Sequence, residues 1–213
     1  MTTNGPDIER AALIIVDMQN DFVHSDGAFA HRAKENPEAE IDMEFLGSTV
    51  APIKRLAGAF RDAGRPVVYI AHVVKPDYSV AAFPYWRRPQ PKGNRTFITE
   101  GTWGAEVIDE LARQEGEHLV VKKGYGGFGQ TRLDTILRNQ DINTCVVTGV
   151  TTAVCVSTTI RGGVEHNYRM ILASDATAEV HRDAHAAELK TMARVFADVK
   201  TTDEVIEMLG QID

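Results

Sequence analysis

A chain of 213 residues, 43% hydrophobic and 25% charged, is long enough for one large domain over 1–213, and its composition excludes a disordered chain. A formal net charge of −7 argues against nucleic acid or an anionic membrane as partner, because both select a basic surface. No apolar run approaches the ~18 residues of a membrane span, the opening MTTNGPDIER has no leader pattern, and two cysteines ten positions apart make no disulfide framework, so a soluble, cytoplasmic protein is expected.

In chain order, AALIIVD (11–17) is a short apolar run closed by an acid and predicts a buried strand. TVAPIKRLAGAFRDAG (49–64) spaces Ile53, Leu56, Ala57 and Phe60 as one helix face and ends at Gly64. PVVYIAHVV (66–74) predicts a second strand, GAEVIDELARQEG (104–116) a helix, HLVVKK (118–123) a third strand and TRLDTILRNQ (131–140) another helix. NTCVVTGV (143–150) predicts strand four and AVCVSTTIRGGVEH (153–166) the helix that follows it. YRMILASDA (168–176) is strand five, DAHAAELKTMARVF (183–196) a helix, ADVK (197–200) a short sixth strand and TTDEVIEMLG (201–210) a last helix. Strands that are apolar throughout and alternate with helices predict an α/β fold of three layers, α/β/α, around a Rossmann-like six-stranded parallel sheet. Residues 24–46 and 76–102 show no clear periodicity and are expected to be long loops, lids or interface arms.

Ligands of such sheets bind beyond the carboxyl ends of the strands, so the residues there carry the functional search. Strand one ends at Asp17, strand three at Lys122 and Lys123, and strand four runs through Gly149 toward Cys155. Cys155 stands about two residues into a predicted helix, where free N–H groups and the helix dipole favour a thiolate. A neighbouring lysine would lower the thiol pKa further, and a carboxylate would take its proton. A free cysteine is commonly inert packing, and that reading is kept for Cys145 in mid-strand; for Cys155 the acid and the lysine at sister strand ends favour a nucleophile. Asp17 alone reads equally as a turn cap, and Lys122 and Lys123 alone as solvated charges. His72 reads as a satisfied, half-buried histidine rather than a base. Without CxxC or HExxH, no structural zinc site is expected, and no GxGxxG follows strand one to hold a dinucleotide cofactor.

IIVDMQNDF, VVKKGYGGFGQTRLDTILR and VVTGVTTAVCVSTTIRGGVEHNY, followed by ASDAT, resemble the isochorismatase-like cysteine hydrolases over roughly residues 10–210. The resemblance implies an Asp–Lys–Cys triad of Asp17, Lys122 and Cys155, with Lys122 rather than Lys123 at the head of KKGYGGF. It implies a cis peptide at Val150–Thr151 and an oxyanion hole from the N–H groups of Thr151 and Cys155. It places Phe22 on a wall of the substrate pocket, with Trp103, Tyr125, Phe128 and Val150 as further candidate contacts. Arg87, Arg88 and Arg95 are candidates for a substrate carboxylate or are simply solvated. The implied reaction is hydrolysis of a small amide or of a carbamoyl or ureido C–N bond through a thioester, with no cofactor; AHVVKPDYS lacks the second histidine by which the similar nicotinamidases bind a metal, so no metal is expected. Two alternatives stay open: an isochorismatase-type vinyl-ether hydrolase, which needs no cysteine, and a non-catalytic binding module on the same fold. Similar proteins form homo-oligomers, and Phe29, Phe45, Phe83, Tyr85 and Trp86 are apolar groups in unpatterned segments, so a homodimer or a homotetramer built from dimers is expected.

Overall fold

The computed structural model describes residues 7–77 and 96–210. Six strands, β1 (Ala11–Val16), β2 (Val67–His72), β3 (His118–Lys122), β4 (Thr144–Val150), β5 (Arg169–Ala178) and β6 (Asp198–Lys200), pair in the order β3-β2-β1-β4-β5-β6, every pair parallel. The order reverses at β1, where Val16 faces Gly149 of β4. A crevice opens at such a reversal because the chain leaves neighbouring strands toward opposite faces.

Each face of the sheet is built by the two-residue period of a strand. Ala11, Leu13 and Ile15 of β1 join one core with Leu46, Ile53, Leu56, Phe60, Val205 and Leu209. Those residues belong to α3 (Met43–Ser48), α4 (Val50–Asp62) and α8 (Thr202–Leu209). Ala12, Ile14 and Val16 join the other core with Leu133, Leu137, Ile160 and Met192. These come from α5 (Leu133–Asn139), α6 (Ser157–Glu165) and α7 (Arg182–Val195). Phe60 is the largest side chain that α4 buries, and its truncation to alanine would cost about 3–5 kcal/mol. The helix stops where Gly64 turns to φ +64 and the Arg65 N–H reaches back to the Phe60 carbonyl at 2.7 Å, a glycine-capped end.

The segment 24–46, expected to lack structure, forms α2 (Ala28–Glu35) and enters α3, after a one-turn helix α1 (Asn20–Val23). Tertiary contacts stabilise these short helices. The Asp21 carboxylate accepts from the N–H of Ala28 at 3.1 Å, and Asp42 caps α3 by accepting from Phe45 N–H at 2.8 Å. Phe29 stacks on Phe97 and meets Phe22 edge-on, while Phe45 lies against His185. Both rings are therefore folded onto the protein rather than left in water.

The helix expected over 104–116 does not form. Two 3-10 turns, Trp103–Ala105 and Asp109–Leu111, stand in its place. Val107 bridges Gln19, Ile108 N–H bonds the Met18 carbonyl at 3.0 Å, and the Glu106 carbonyl receives Asn20 N–H at 3.0 Å. The backbone groups a helix would use internally are spent strapping the segment across the end of β1.

Candidate active site

β1 ends with a turn at Asp17, which takes φ +51. A left-handed non-glycine residue is uncommon and costs free energy unless its surroundings enforce it. Here they do. Asp17 N–H is held by the Ile70 carbonyl at 2.9 Å, and its own carbonyl accepts from Gln19 N–H at 2.8 Å. Gln19 sends its amide to both backbone groups of His72, accepting from N–H at 2.9 Å and donating to the carbonyl at 3.0 Å. Asn20 donates to the Trp103 carbonyl at 2.8 Å, and Asp21 accepts from Ile98 N–H at 2.6 Å. The polar residues of VDMQNDF thus tie β1, β2 and the 96–108 strap together and leave the Asp17 side chain at the sheet's end, fully buried.

Lys122, the last residue of β3, is buried with its side chain at 0% exposure, and its Nζ lies 2.8 Å from Asp17 Oδ2. The same ammonium lies 3.2 Å from Cys155 Sγ and 3.1 Å from the Gly124 carbonyl. Burial pulls the Lys122 pKa down, but the charges of Asp17 and Cys155 outweigh it and hold it above its ordinary value. Lys123 is only half-buried. The two neighbouring lysines therefore differ by the alternation of a strand: one turns inward and the other outward.

The chain leaves β4 through Gly149, which takes φ +104. A Cβ there would fall 2.0 Å from the Val16 carbonyl oxygen, so this close crossing of β1 and β4 requires glycine. The Val150–Thr151 peptide is cis. Thr152–Val156 then form a π-helical turn that carries Cys155 into α6, a widened geometry frequent at functional sites. Cys155 is 6% exposed. Its thiol pKa is pushed up, first by burial and then by the Asp17 charge, with Lys122 opposing. The expected low-pKa thiolate is thus not the resting form. The Lys122 charge is largely matched by Asp17, so it does not lower the thiol as a lone lysine would, and the proton stays on sulfur beside a carboxylate able to receive it.

His72 is buried rather than half-buried. Its Nε2 lies 3.3 Å from the Lys123 carbonyl, and burial, followed by the Lys122 charge, holds its pKa down at about 4. It is a neutral imidazole at neutral pH. Donor atoms of Asp17, His72 and Cys155 lie within 4.8 Å of one another. A metal ion bound by these three would have to displace the Lys122 ammonium, which already supplies positive charge to both Asp17 and Cys155.

The other sequence candidates scatter around this cluster. Val150 and Thr151 are buried at the exit of β4. Tyr125 meets the His72 ring edge-on with centroids 6.2 Å apart. Phe22 packs within the aromatic group of Phe29 and Phe97. Trp103 is 48% exposed, rests on His24 and borders a cavity of about 500 Å3 with Asp21, His31 and Arg32. Phe128 lies against His166 and Tyr168 and borders a second cavity with Tyr125 and Arg161. Arg87, Arg88 and Arg95, with Phe83, Tyr85 and Trp86, lie outside the described residues. Sequence reasoning missed Gln19, Thr152, Thr177, Glu179 and His185, all of which hydrogen-bond at or beside the strand ends. The only signal in the sequence was the concentration of polar residues where apolar strands stop. Among the described residues, no helix is long and apolar enough to cross a membrane.

Residues 11–204 match the isochorismatase domain family. The chain is 34% identical over 182 residues to the ureidoacrylate amidohydrolase RutB of Methylorubrum extorquens, covering 80% of this chain and 71% of that relative. It is 32% identical over 217 residues to the RutB of Yersinia enterocolitica, covering 95% and 91%. Among solved structures it resembles a cysteine hydrolase from Pseudomonas syringae pv. phaseolicola, with a TM-score of 0.83, 32% identity and 99% of each chain covered. It also resembles the N-carbamoylsarcosine amidase of Thermoplasma acidophilum, with a TM-score of 0.72, 31% identity and 91% and 97% covered. With the sheet order, the strand-end cluster and a match across nearly the whole chain in agreement, the protein belongs to the isochorismatase family.

Proposed function

We propose that this chain is a cysteine-dependent amidohydrolase that cleaves a small ureido or carbamoyl C–N bond through a thioester on Cys155. One observation carries the reading: the Lys122 ammonium stands 2.8 Å from Asp17 and 3.2 Å from Cys155, with all three groups out of water. In this reading Asp17 takes the thiol proton as sulfur attacks the substrate carbonyl, so the thiolate exists only as the C–S bond forms. The Thr151 and Cys155 N–H groups receive the developing oxyanion, and the Lys122 ammonium holds Asp17 beside the sulfur. Asp17 then passes that proton to the departing nitrogen. Water attacks the thioester, Asp17 takes its proton, and the thiol is restored. Phe22, Trp103 and Tyr125 are the aromatic groups proposed to border the substrate, with Val150 and Phe128 as further proposed contacts. Likeness to the ureidoacrylate amidohydrolases and to an N-carbamoylsarcosine amidase supports the ureido or carbamoyl class.

The reading extends to setting and assembly. Cys145 and Cys155 are free thiols, which suits the cytoplasm. A homodimer, or a tetramer of dimers, is supported by β3, an edge strand that leaves Leu119 and Val121 38% and 44% exposed; light scattering at micromolar concentration tests it, and a fully active monomer overturns it. For the chemistry, ammonia release is measured over ureido acids, N-carbamoyl amino acids, biuret and nicotinamide. Release from the ureido or carbamoyl compounds, lost in Cys155→Ala, is expected. No release from any of them, or release undiminished in Cys155→Ala, refutes the reading.

A further inference from the structure

A chain of side-chain hydrogen bonds reaches the turn before Cys155 from α7, which contributes nothing to the Asp17–Lys122–Cys155 cluster itself. His185 Nδ1 lies 2.9 Å from Thr152 Oγ1. Thr152 Oγ1 lies 3.2 Å from Thr177 Oγ1, and Thr177 Oγ1 lies 2.7 Å from the Gly149 carbonyl. The direction of the chain follows from its end. A carbonyl oxygen only accepts, so the single Thr177 proton goes to Gly149. Thr177 oxygen must then accept from Thr152, whose proton is committed in turn, and Thr152 must accept from an Nδ1–H of His185. Each hydroxyl both gives and receives, and the Nδ1–H tautomer of His185 is selected by a backbone carbonyl three bonds away.

The residues this chain grips are placed to matter. Gly149 and Thr152 flank Val150 and Thr151, and Cys155 follows three residues later. Thr152 is fully buried and Thr177 nearly so. On its other side, the His185 ring meets Phe45 edge-on at 5.0 Å, and the Arg182 guanidinium lies over the Phe45 ring at 4.4 Å. Burial, and then the Arg182 charge, keep the His185 pKa below its ordinary value. The imidazole is thus fixed in place, with its Nδ1 directed at Thr152. A separate brace, Glu179 accepting from Ala153 N–H at 2.8 Å, holds the next residue of the turn.

We infer that His185 is a positioning residue: through Thr152 and Thr177 it holds the Gly149–Thr152 turn so that the Thr151 and Cys155 N–H groups converge on the reacting carbonyl. This rests on the reading of Cys155 as nucleophile. A small displacement of groups that must converge on one atom is costly, of the order of 100-fold for about 1 Å.

The test uses His185→Leu, His185→Asn, Thr152→Val and Thr152→Ser, assayed on the best substrate from the ammonia-release screen. The Asn amide can place an N–H where Nδ1–H stands, and Ser keeps the hydroxyl. His185→Leu and Thr152→Val are each expected to lower kcat by roughly 10- to 100-fold with KM changed less than about 3-fold. His185→Asn and Thr152→Ser are expected to recover most of the loss. The double variant His185→Leu/Thr152→Val should be no slower than Thr152→Val alone, because both break one chain. Multiplying effects in the double variant, or a His185→Asn no better than His185→Leu, overturns the inference. Alkylation of Cys155 by iodoacetamide, followed by mass spectrometry, is read in the same four proteins and does not depend on turnover. An alkylation rate that changes in His185→Leu and returns in His185→Asn supports the positioning role even if the assumed substrate is wrong; an unchanged rate in every variant counts against it.

Discussion

Cys145, in the middle of β4, and Cys155, in the turn beyond it, are ten residues apart in the chain and almost equally buried. Both thiols have their pKa pushed up, and burial is the first cause in each. For Cys145 it is the only cause. For Cys155 the Asp17 carboxylate and the Lys122 ammonium act as well, in opposite directions. Burial therefore does not separate an inert thiol from one suited to chemistry. The difference lies in a proton acceptor at hand and in a cation paired with that acceptor in a dry site.

The largest effect expected from this contrast is in turnover. Cys155→Ala should abolish ammonia release with the fold intact, and Cys145→Ser should leave the chemistry nearly unchanged; equal losses in both would erase the distinction. Next come the neighbours that define it. Asp17→Asn should lower kcat by at least ~100-fold, the scale of a general base. Lys122→Met should do comparable harm, while Lys123→Ala should be mild. Lys122→Met should also destabilise the protein by about 3–5 kcal/mol in urea denaturation, because it leaves the Asp17 charge buried without a counter-ion; an unchanged midpoint would mean that the pair is not buried in solution.

A smaller effect should appear in the pH dependence of stability. The unfolded chain protonates His72 near pH 6.5 and the folded chain only near 4, so the unfolded state binds more protons between those values. The contribution of His72, roughly 3 kcal/mol, should be complete above pH 6.5 and fade as pH falls through the window toward 4. Urea denaturation across that range should show a slope that His72→Gln flattens. The smallest effect is spectroscopic. Thiolate ultraviolet absorbance should be absent at neutral pH for both cysteines, and in Asp17→Asn that of Cys155 alone should appear at lower pH than in the wild type. A strong thiolate band in the resting wild type would contradict the protonated ground state.

The six strands were legible because a strand covered on both faces is apolar throughout, and β1, β2 and β4 are buried along their whole length. Asp17, Lys122 and Cys155 were legible for a related reason: they are reactive groups where such runs end. The helix expected over 104–116 was misread because Val107, Ile108 and Leu111 fit helical spacing as well as they fit a strap. The decision lay in the carbonyl of Met18 and the N–H of Asn20, which are distant in sequence. The helices α2 and α3 were overlooked for the converse reason: Asp21 and the Phe22–Phe29–Phe97 group support α2, and the Val180 carbonyl holds the Asp42 N–H at the start of α3, all from elsewhere in the chain. The protonated state of Cys155 was also beyond reach. Sequence spacing showed a lysine near the thiol, but not that a carboxylate would lie still closer to that lysine.

Gln19 has a consequence for how the sheet is finished. Its side-chain amide accepts from the N–H of His72 and donates to its carbonyl, the pair of bonds a neighbouring strand's backbone would make. It acts as a borrowed peptide unit. The ladder beside β2 gains one more rung without any main chain from β1 to supply it, and the main chain of Asp17 is released to turn. An amide is the one side-chain group that carries both a donor and an acceptor in this arrangement. Gln19→Glu, nearly identical in shape, would aim a carboxylate at the carbonyls of His72 and Ala105, which Gln19 Nε2 now satisfies at 3.0 and 2.8 Å. Shape alone is therefore a poor guide to what this position tolerates: the imitation of a peptide bond is chemical, and a redesign of the strand end must preserve both halves of it.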